Sequence, residues 1–222
     1  MNVLFLDLDG TIRESKFGKF IDSPTEQQPI PGMQEAVRLF SGAGYRIIGV
    51  TNQGGVEAGH KSISDCIEEQ KITLDLFPEI NTIHFCPDFA GNKLGTVYRQ
   101  DNFTGSTKRF YKHFVQSKIA YENIFSTRLP SFRKPQPGMI LVPLLQFANS
   151  ASVDVSNCWM VGDRSEDEQA AYAAGVNFLS AEMLHYYFNR GDLGKVSLPL
   201  DIEVKFANLP QKAYSFLLSS GE

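Results

Sequence analysis

Apolar positions along this chain switch repeatedly between short unbroken runs and helical spacing. Val3, Leu4, Phe5 and Leu6 form a continuous apolar run ended by Asp7 and Gly10, which predicts a strand buried on both faces of a parallel sheet. After a polar stretch over 13–29, Met33, Ala36, Val37 and Phe40 recur at helical spacing behind Pro31, and Gly42 and Gly44 stop the pattern. The run 47–50 predicts a second buried strand, 62–77 a helix and 82–86 a third strand. The pattern then breaks over 87–132, longer than an ordinary connection, which predicts an insertion with its own structure. Within it Phe110, Phe114 and Ile119 predict one amphipathic helix. Alternation resumes with a helix after Pro137, a strand over 159–161, a helix after Arg164 and a strand over 176–179. Residues 191–204 read as loop or edge strand and 209–218 as a final helix. Strands alternating with helices specify an α/β fold with a mainly parallel sheet, here one domain over 1–222 with the insertion at 87–132.

Composition changes this picture little. With 42% hydrophobic and 21% charged residues the chain is an ordinary globular one, which excludes disorder, collagen-like repetition and coiled coil. A formal net charge of -4 excludes a strongly basic nucleic-acid scaffold. Cys66, Cys86 and Cys158 are too few and too scattered for a disulfide framework, which favours a reducing compartment. The apolar start carries no positive flank and is interrupted at Asp7, against a signal peptide, and no run approaches the roughly 20 apolar residues of a membrane span. A cytoplasmic protein is expected, with its oligomeric state left open.

Chemistry concentrates at the ends of the predicted strands, where ligands gather in open α/β sheets. Asp7-Leu8-Asp9-Gly10-Thr11 follows the first strand. Asp7 is placed to act as a nucleophile, and Asp9 as the acid that protonates a leaving oxygen and the base that later activates water. Two carboxylates facing a phosphate repel it, so a cation is required, and magnesium held by carboxylate oxygens fits. Asp-Gly after a strand is also a simple turn. Thr51-Asn52-Gln53-Gly54-Gly55 ends the second strand, offering a hydroxyl and turn amides to phosphate oxygens, or again only a turn. Arg133-Lys134-Pro135 supplies an ammonium that would offset the charge on the nucleophile, and a guanidinium fork for an anionic substrate, unless it is a solvated basic pair. Gly162-Asp163-Arg164 with Asp167 puts one carboxylate within reach of the metal. A second lies one helical turn on, able to orient Lys134 or a metal-bound water, and Asp163 can also serve as a helix cap.

In this order, these four motifs resemble the haloacid dehalogenase superfamily of phosphohydrolases. The resemblance is closer still to the subgroup that holds heptose bisphosphate phosphatases, histidinol phosphatases and polynucleotide 3'-phosphatase domains. It implies a Rossmann-like three-layer α/β/α sandwich without a large cap domain, and hydrolysis of a small phosphorylated metabolite, with a nucleic-acid end as the alternative substrate and a non-catalytic phosphate-binding module as a reading of another class. It implies a phosphoaspartyl intermediate on Asp7, Asp9 as proton donor, and Thr51 and Lys134 holding the phosphate. Magnesium would be bound by Asp7, Asp163 and the backbone carbonyl of Asp9; Asn52, Gln53, Arg133 and Arg164 would meet the substrate, and Asp167 would support Lys134.

The chain departs from that subgroup in one respect. Heptose bisphosphate phosphatases carry a zinc loop with a Cys-x-His and a Cys-x-Cys pair, whereas here Cys86 is followed by Pro87-Asp88 and the second pair falls on Pro130 and Phe132. Structural zinc is therefore not expected, and His84 reads as a packed or hydrogen-bonded residue. Residues 108–114 interleave Lys, Arg and His with Phe and Tyr, a pattern that could hold a nucleic-acid backbone but reads first as the amphipathic helix above.

Overall fold

A computed structural model describes residues 1–100, 110–149 and 153–188. In chain order they form β1 (Asn2–Leu6), β2 (Arg13–Ser15), β3 (Gln27–Pro29), α1 (Met33–Gly42), β4 (Tyr45–Asn52), α2 (Ile63–Leu76), β5 (Ile80–Cys86), β6 (Lys93–Gln100) and β7 (Phe110–Ser117). The chain continues through α3 (Lys118–Phe125), α4 (Gly138–Ala148), β8 (Trp159–Gly162), α5 (Ser165–Ala174), β9 (Asn177–Ser180) and α6 (Ala181–Phe188). The main sheet runs β7-β6-β5-β4-β1-β8-β9, with β5, β4, β1, β8 and β9 parallel and β6 and β7 antiparallel at one edge. β2 and β3 pair separately as a short antiparallel ribbon.

The unbroken apolar run of β1 follows from its central place, because its two faces meet two different cores. Leu4 and Leu6 pack with Met33, Val37 and Phe40 of α1 and Leu184 of α6. Val3 and Phe5 pack on the other face with Met139, Ile140 and Val142 of α4 and Ala170 and Ala171 of α5. The result is the three-layer α/β/α arrangement, and each large side chain so buried contributes roughly 1.5–3 kcal/mol relative to exposure. The chain leaves β1 toward β4 on one side, while β8 fills the other. That reversal opens a crevice beyond the carboxyl ends of β1, β4 and β8, the place where such sheets hold ligands.

The insertion differs from its expected form. Phe110 and Phe114 lie in β7, and Ile119 lies in the separate helix α3. A spacing of four puts two residues on one face of a strand as well as of a helix, so Phe110 and Phe114 alone could not separate the two. The ladder that β6 offers, pairing every residue from Lys93↔Ser117 to Gln100↔Phe110, decides for strand. Tyr98 meets Phe114 edge-on at 6.4 Å. Lys108 and Arg109, and the expectations for 191–204 and 209–218, lie outside the described residues. Among the described residues, no helix is long and apolar enough to cross a membrane.

Candidate active site

Where β1 ends, Asp7 still continues the ladder through its N–H to the Val161 carbonyl at 2.9 Å, and the chain then folds tightly about Leu8. The amides of Thr11, Ile12 and Arg13 all donate to the Leu8 carbonyl, with Gly10 in the left-handed region at φ 84°. This turn leaves the Asp7 side chain at the floor of the crevice, where Oδ1 accepts from Lys134 Nζ at 2.5 Å and Oδ2 from Thr11 Oγ1 at 3.1 Å. Lys134 Nζ also donates to Asp167 Oδ1 at 2.6 Å and to the Val50 carbonyl at 3.0 Å. One buried ammonium thus ties together β1, β4 and α5. Asp167 is fixed in turn, its Oδ2 accepting from the Arg164 amide at 3.1 Å at the start of α5.

Two glycines make room for these carboxylates. A Cβ on Gly10 would stand 2.5 Å from Asp163 Oδ2, and one on Gly162 would stand 2.3 Å from Asp167 Cβ. Carboxylate oxygens of Asp7, Asp163 and Asp167 therefore all lie within 4.8 Å of one another. The electrostatics follow. Burial pushes the Asp7 carboxyl up to about 7, with Asp167 and Asp9 adding repulsion against the pull of Lys134. Burial also raises Asp163, against the pull of Arg164. Burial opposes the charge on Lys134, but Asp7 and Asp167 outweigh it and hold that ammonium above its ordinary range. Three carboxylates against one ammonium leave local negative charge to be balanced, and an all-oxygen donor set suits a hard divalent cation such as magnesium.

The crevice is lined by Asp7, Asp9, Thr51, Asn52, Lys134, Arg164, Glu166 and Asp167. Several of the expected residues have further or different attachments. Asp9 turns its carboxylate away from the acidic group: Oδ1 accepts from Arg13 Nε at 2.9 Å, and Oδ2 from Gln53 Nε2 at 2.9 Å. Its carboxylate is thus apart from the cluster, while that of Asp167, expected only to support, is inside it. Burial would raise Asp9, but the Arg13 guanidinium and its hydrogen bond, then Lys61 and Gln53, hold it below the usual carboxylate range. The Asn52 amide clamps the Lys134 backbone, Nδ2 donating to its carbonyl and Oδ1 accepting its N–H, both at 3.0 Å. The side chain of Gln53 is buried, its Nε2 donating to Asp9 Oδ2 at 2.9 Å and to Thr51 Oγ1 at 3.1 Å. The Arg133 guanidinium lies over the Phe89 ring, 5.1 Å from its centroid. The sequence does not single out Glu166, because an acidic residue in a first helical turn is accounted for by the helix dipole alone.

The segments that stand where the subgroup carries its zinc loop are tied down by hydrogen bonds and packing. Asp88 accepts the amides of Asn92 at 2.8 Å and Lys93 at 3.1 Å, and Cys86 Sγ donates to the Asp88 carbonyl at 3.2 Å. Phe132 is fully buried against Tyr121, ring centroids 5.6 Å apart. His84 is buried and hydrogen-bonded to Thr96 Oγ1 at 2.9 Å, and burial lowers its pKa to about 4.

Comparison with known proteins accords with this arrangement. The family model described as polynucleotide kinase 3 phosphatase matches residues 2–192. A D-glycero-beta-D-manno-heptose-1,7-bisphosphate 7-phosphatase from Rhodopseudomonas palustris is 30% identical over 172 residues, covering 78% of each chain. One of the same name from Vibrio cholerae is 31% identical over 182 residues, covering 78% of this chain and 76% of its own. Among solved structures, a D,D-heptose 1,7-bisphosphate phosphatase from B. bronchiseptica, complexed with magnesium and phosphate, shares the fold with a TM-score of 0.54. It is 21% identical and covers 80% of this chain and 79% of its own. The chain belongs to the polynucleotide kinase 3 phosphatase family and is a phosphatase of the haloacid dehalogenase type.

Proposed function

We propose that the protein is a magnesium-dependent phosphomonoesterase that hydrolyses a small phosphorylated metabolite of the sugar-phosphate class through a phosphoaspartate on Asp7. The observation that carries this reading is the convergence of Asp7, Lys134, and the Asp163 and Asp167 pair, from three separate segments, at the carboxyl ends of β1, β4 and β8. Asp7 and Asp163, with the Asp9 carbonyl, would hold the metal, which when bound neutralises charge on the phosphoryl oxygens and keeps the Asp7 carboxylate ionised. Lys134 offsets what remains of the charge, and the Thr51 hydroxyl at the β4 end binds a phosphoryl oxygen. Asp7 attacks phosphorus, the bond to the leaving oxygen breaks, and Asp9 delivers its proton to that oxygen. Asp9, now ionised, takes a proton from water as that water attacks the phosphoaspartate, and phosphate leaves with Asp7 restored. A dianionic phosphoryl group arriving beside Asp9 opposes its ionisation, which supplies the proton that the free protein does not hold there at neutral pH.

The sugar-phosphate class is supported by the heptose bisphosphate phosphatases among the relatives. A polynucleotide 3'-phosphate is the second reading, favoured by the family model matched over 2–192. Arg164 and Glu166 at the rim are the groups that would meet the part of the substrate beyond the phosphate. We take 1–222 as one domain, in a cytoplasmic setting that suits three free, buried cysteines. Steady-state phosphate release with magnesium, on sugar phosphates, histidinol phosphate and 3'-phosphorylated DNA, tests the assignment. The sugar phosphates are expected to turn over fastest, and Asp7→Asn to lose at least about 10³-fold with an unchanged melting curve. Undiminished turnover by a folded Asp7→Asn contradicts it.

A further inference from the structure

The Asp9 carboxylate belongs to a closed ring of hydrogen bonds that reaches far from the crevice. Asp9 Oδ1 accepts from Arg13 Nε at 2.9 Å, and Arg13 Nη2 donates to Glu69 Oε1 at 2.6 Å. Glu69 Oε2 accepts from Lys61 Nζ at 2.5 Å, Lys61 Nζ donates to Gln53 Oε1 at 3.2 Å, and Gln53 Nε2 returns to Asp9 Oδ2 at 2.9 Å. Charges alternate around the ring as Asp9, Arg13, Glu69 and Lys61, so it is neutral as a whole. Arg13 is fully buried, with its remaining donors on Gln27 and Thr73, and Glu69 is 1% exposed. Burying two ion pairs gives little net stability, since desolvation consumes the attraction. Such a ring does, however, grip both oxygens of the one member whose side chain reaches the crevice, because Asp9 is 38% exposed while Arg13 and Glu69 are not.

We infer that Glu69 and Lys61, acting through Arg13 and Gln53, are positioning residues that hold the Asp9 carboxylate in the orientation from which it hands a proton to the leaving oxygen. This rests on the reading of Asp9 as proton donor given above. Glu69 comes from α2 and Lys61 from the turn preceding it, and neither lines the crevice, so their contacts reach Asp9 through the ring. Loss of Glu69 would leave the buried Arg13 charge with Asp9 alone to balance it, and loss of Lys61 would leave Gln53 Oε1 without its cation, so either loosens one partner of Asp9.

Leaving-group dependence separates this role from a merely structural one. An alkyl phosphate needs its leaving oxygen protonated, whereas 2,4-dinitrophenyl phosphate does not. With magnesium, kcat/KM on an alkyl phosphate is expected to fall about 10-fold or more in Glu69→Gln and Lys61→Met, within the roughly 10²–10⁴-fold that a general acid supplies. On 2,4-dinitrophenyl phosphate it should stay within about threefold, and Lys61→Arg should restore the alkyl reaction. Lys61 is partly exposed, so its variants keep the test open should Glu69→Gln fold poorly. Asp9→Asn, measured beside them, must show the same selectivity more strongly; equal losses on both substrates in Asp9→Asn overturn the proton-donor reading itself. Selectivity in Asp9→Asn with none in folded ring variants, or with equal losses on both substrates in them, overturns the ring's role alone.

Discussion

Asp7 lies between one ammonium and two further carboxylates, and its titration follows from that balance. Its folded value, about 7, stands above the unfolded 3.8, so folding favours the protonated form. The corresponding stability is full below about pH 4 and is lost as pH rises through about 7. A divalent cation needs the ionised form, so its binding runs the other way. The rise in melting temperature on adding magnesium is therefore expected to be larger at pH 8 than at pH 5, by a few degrees, and to vanish in Asp7→Asn; scanning fluorimetry reads it, and equal rises at both pH values speak against the site. At this scale the sequence was informative about Asp7, Asp9, Lys134 and Asp163, whose types and strand-end placement carry their own chemistry. It was silent about Arg13, Lys61 and Glu69. A charged residue at a strand start, before a helix or within one reads as surface, and only the fold shows that Arg13 and Glu69 are interior.

Elements with one unambiguous period were legible before the fold was known. Met33, Ala36, Val37 and Phe40 form the buried face of α1 as their spacing requires, and the apolar run of β1 is an interior strand between β4 and β8. β7 was not legible, since its residues are mostly exposed and only its pairing with β6 defines it. One strand inward, Gly95 of β6 lies opposite Phe85 of β5, and a Cβ there would come within 2.1 Å of the Phe85 ring. Gly95→Ala is expected to cost about 1–3 kcal/mol by overpacking. Gly42→Ala, in α1 with nothing within 4 Å of the added carbon, should instead gain up to about 1 kcal/mol from helix propensity. Urea unfolding midpoints give both signs directly, and equal shifts for the two variants would be inconsistent with this packing.

For the molecule as a whole, a net charge of -4 gives no general attraction for polyanions. If the substrate is a small sugar phosphate, kcat/KM is expected to change less than about threefold between 50 and 200 mM salt. A nucleic-acid end, held by several phosphate contacts, would lose far more over the same range, and such a loss would move the assignment to the second reading. The sequence puts a small metabolite first and a nucleic-acid end second and places Arg164 beside the substrate, but it does not single out Glu166, an ordinary first-turn residue until the crevice is seen. The claim on which all else depends is that Asp7 becomes phosphorylated. Mass spectrometry of acid-quenched enzyme, mixed with magnesium and an aryl phosphate, tests it most directly. Phosphate should appear on the peptide that contains Asp7 and accumulate further in Asp9→Asn, where water activation is lost. Phosphate release at the normal rate with that peptide unmodified in both proteins would contradict the account.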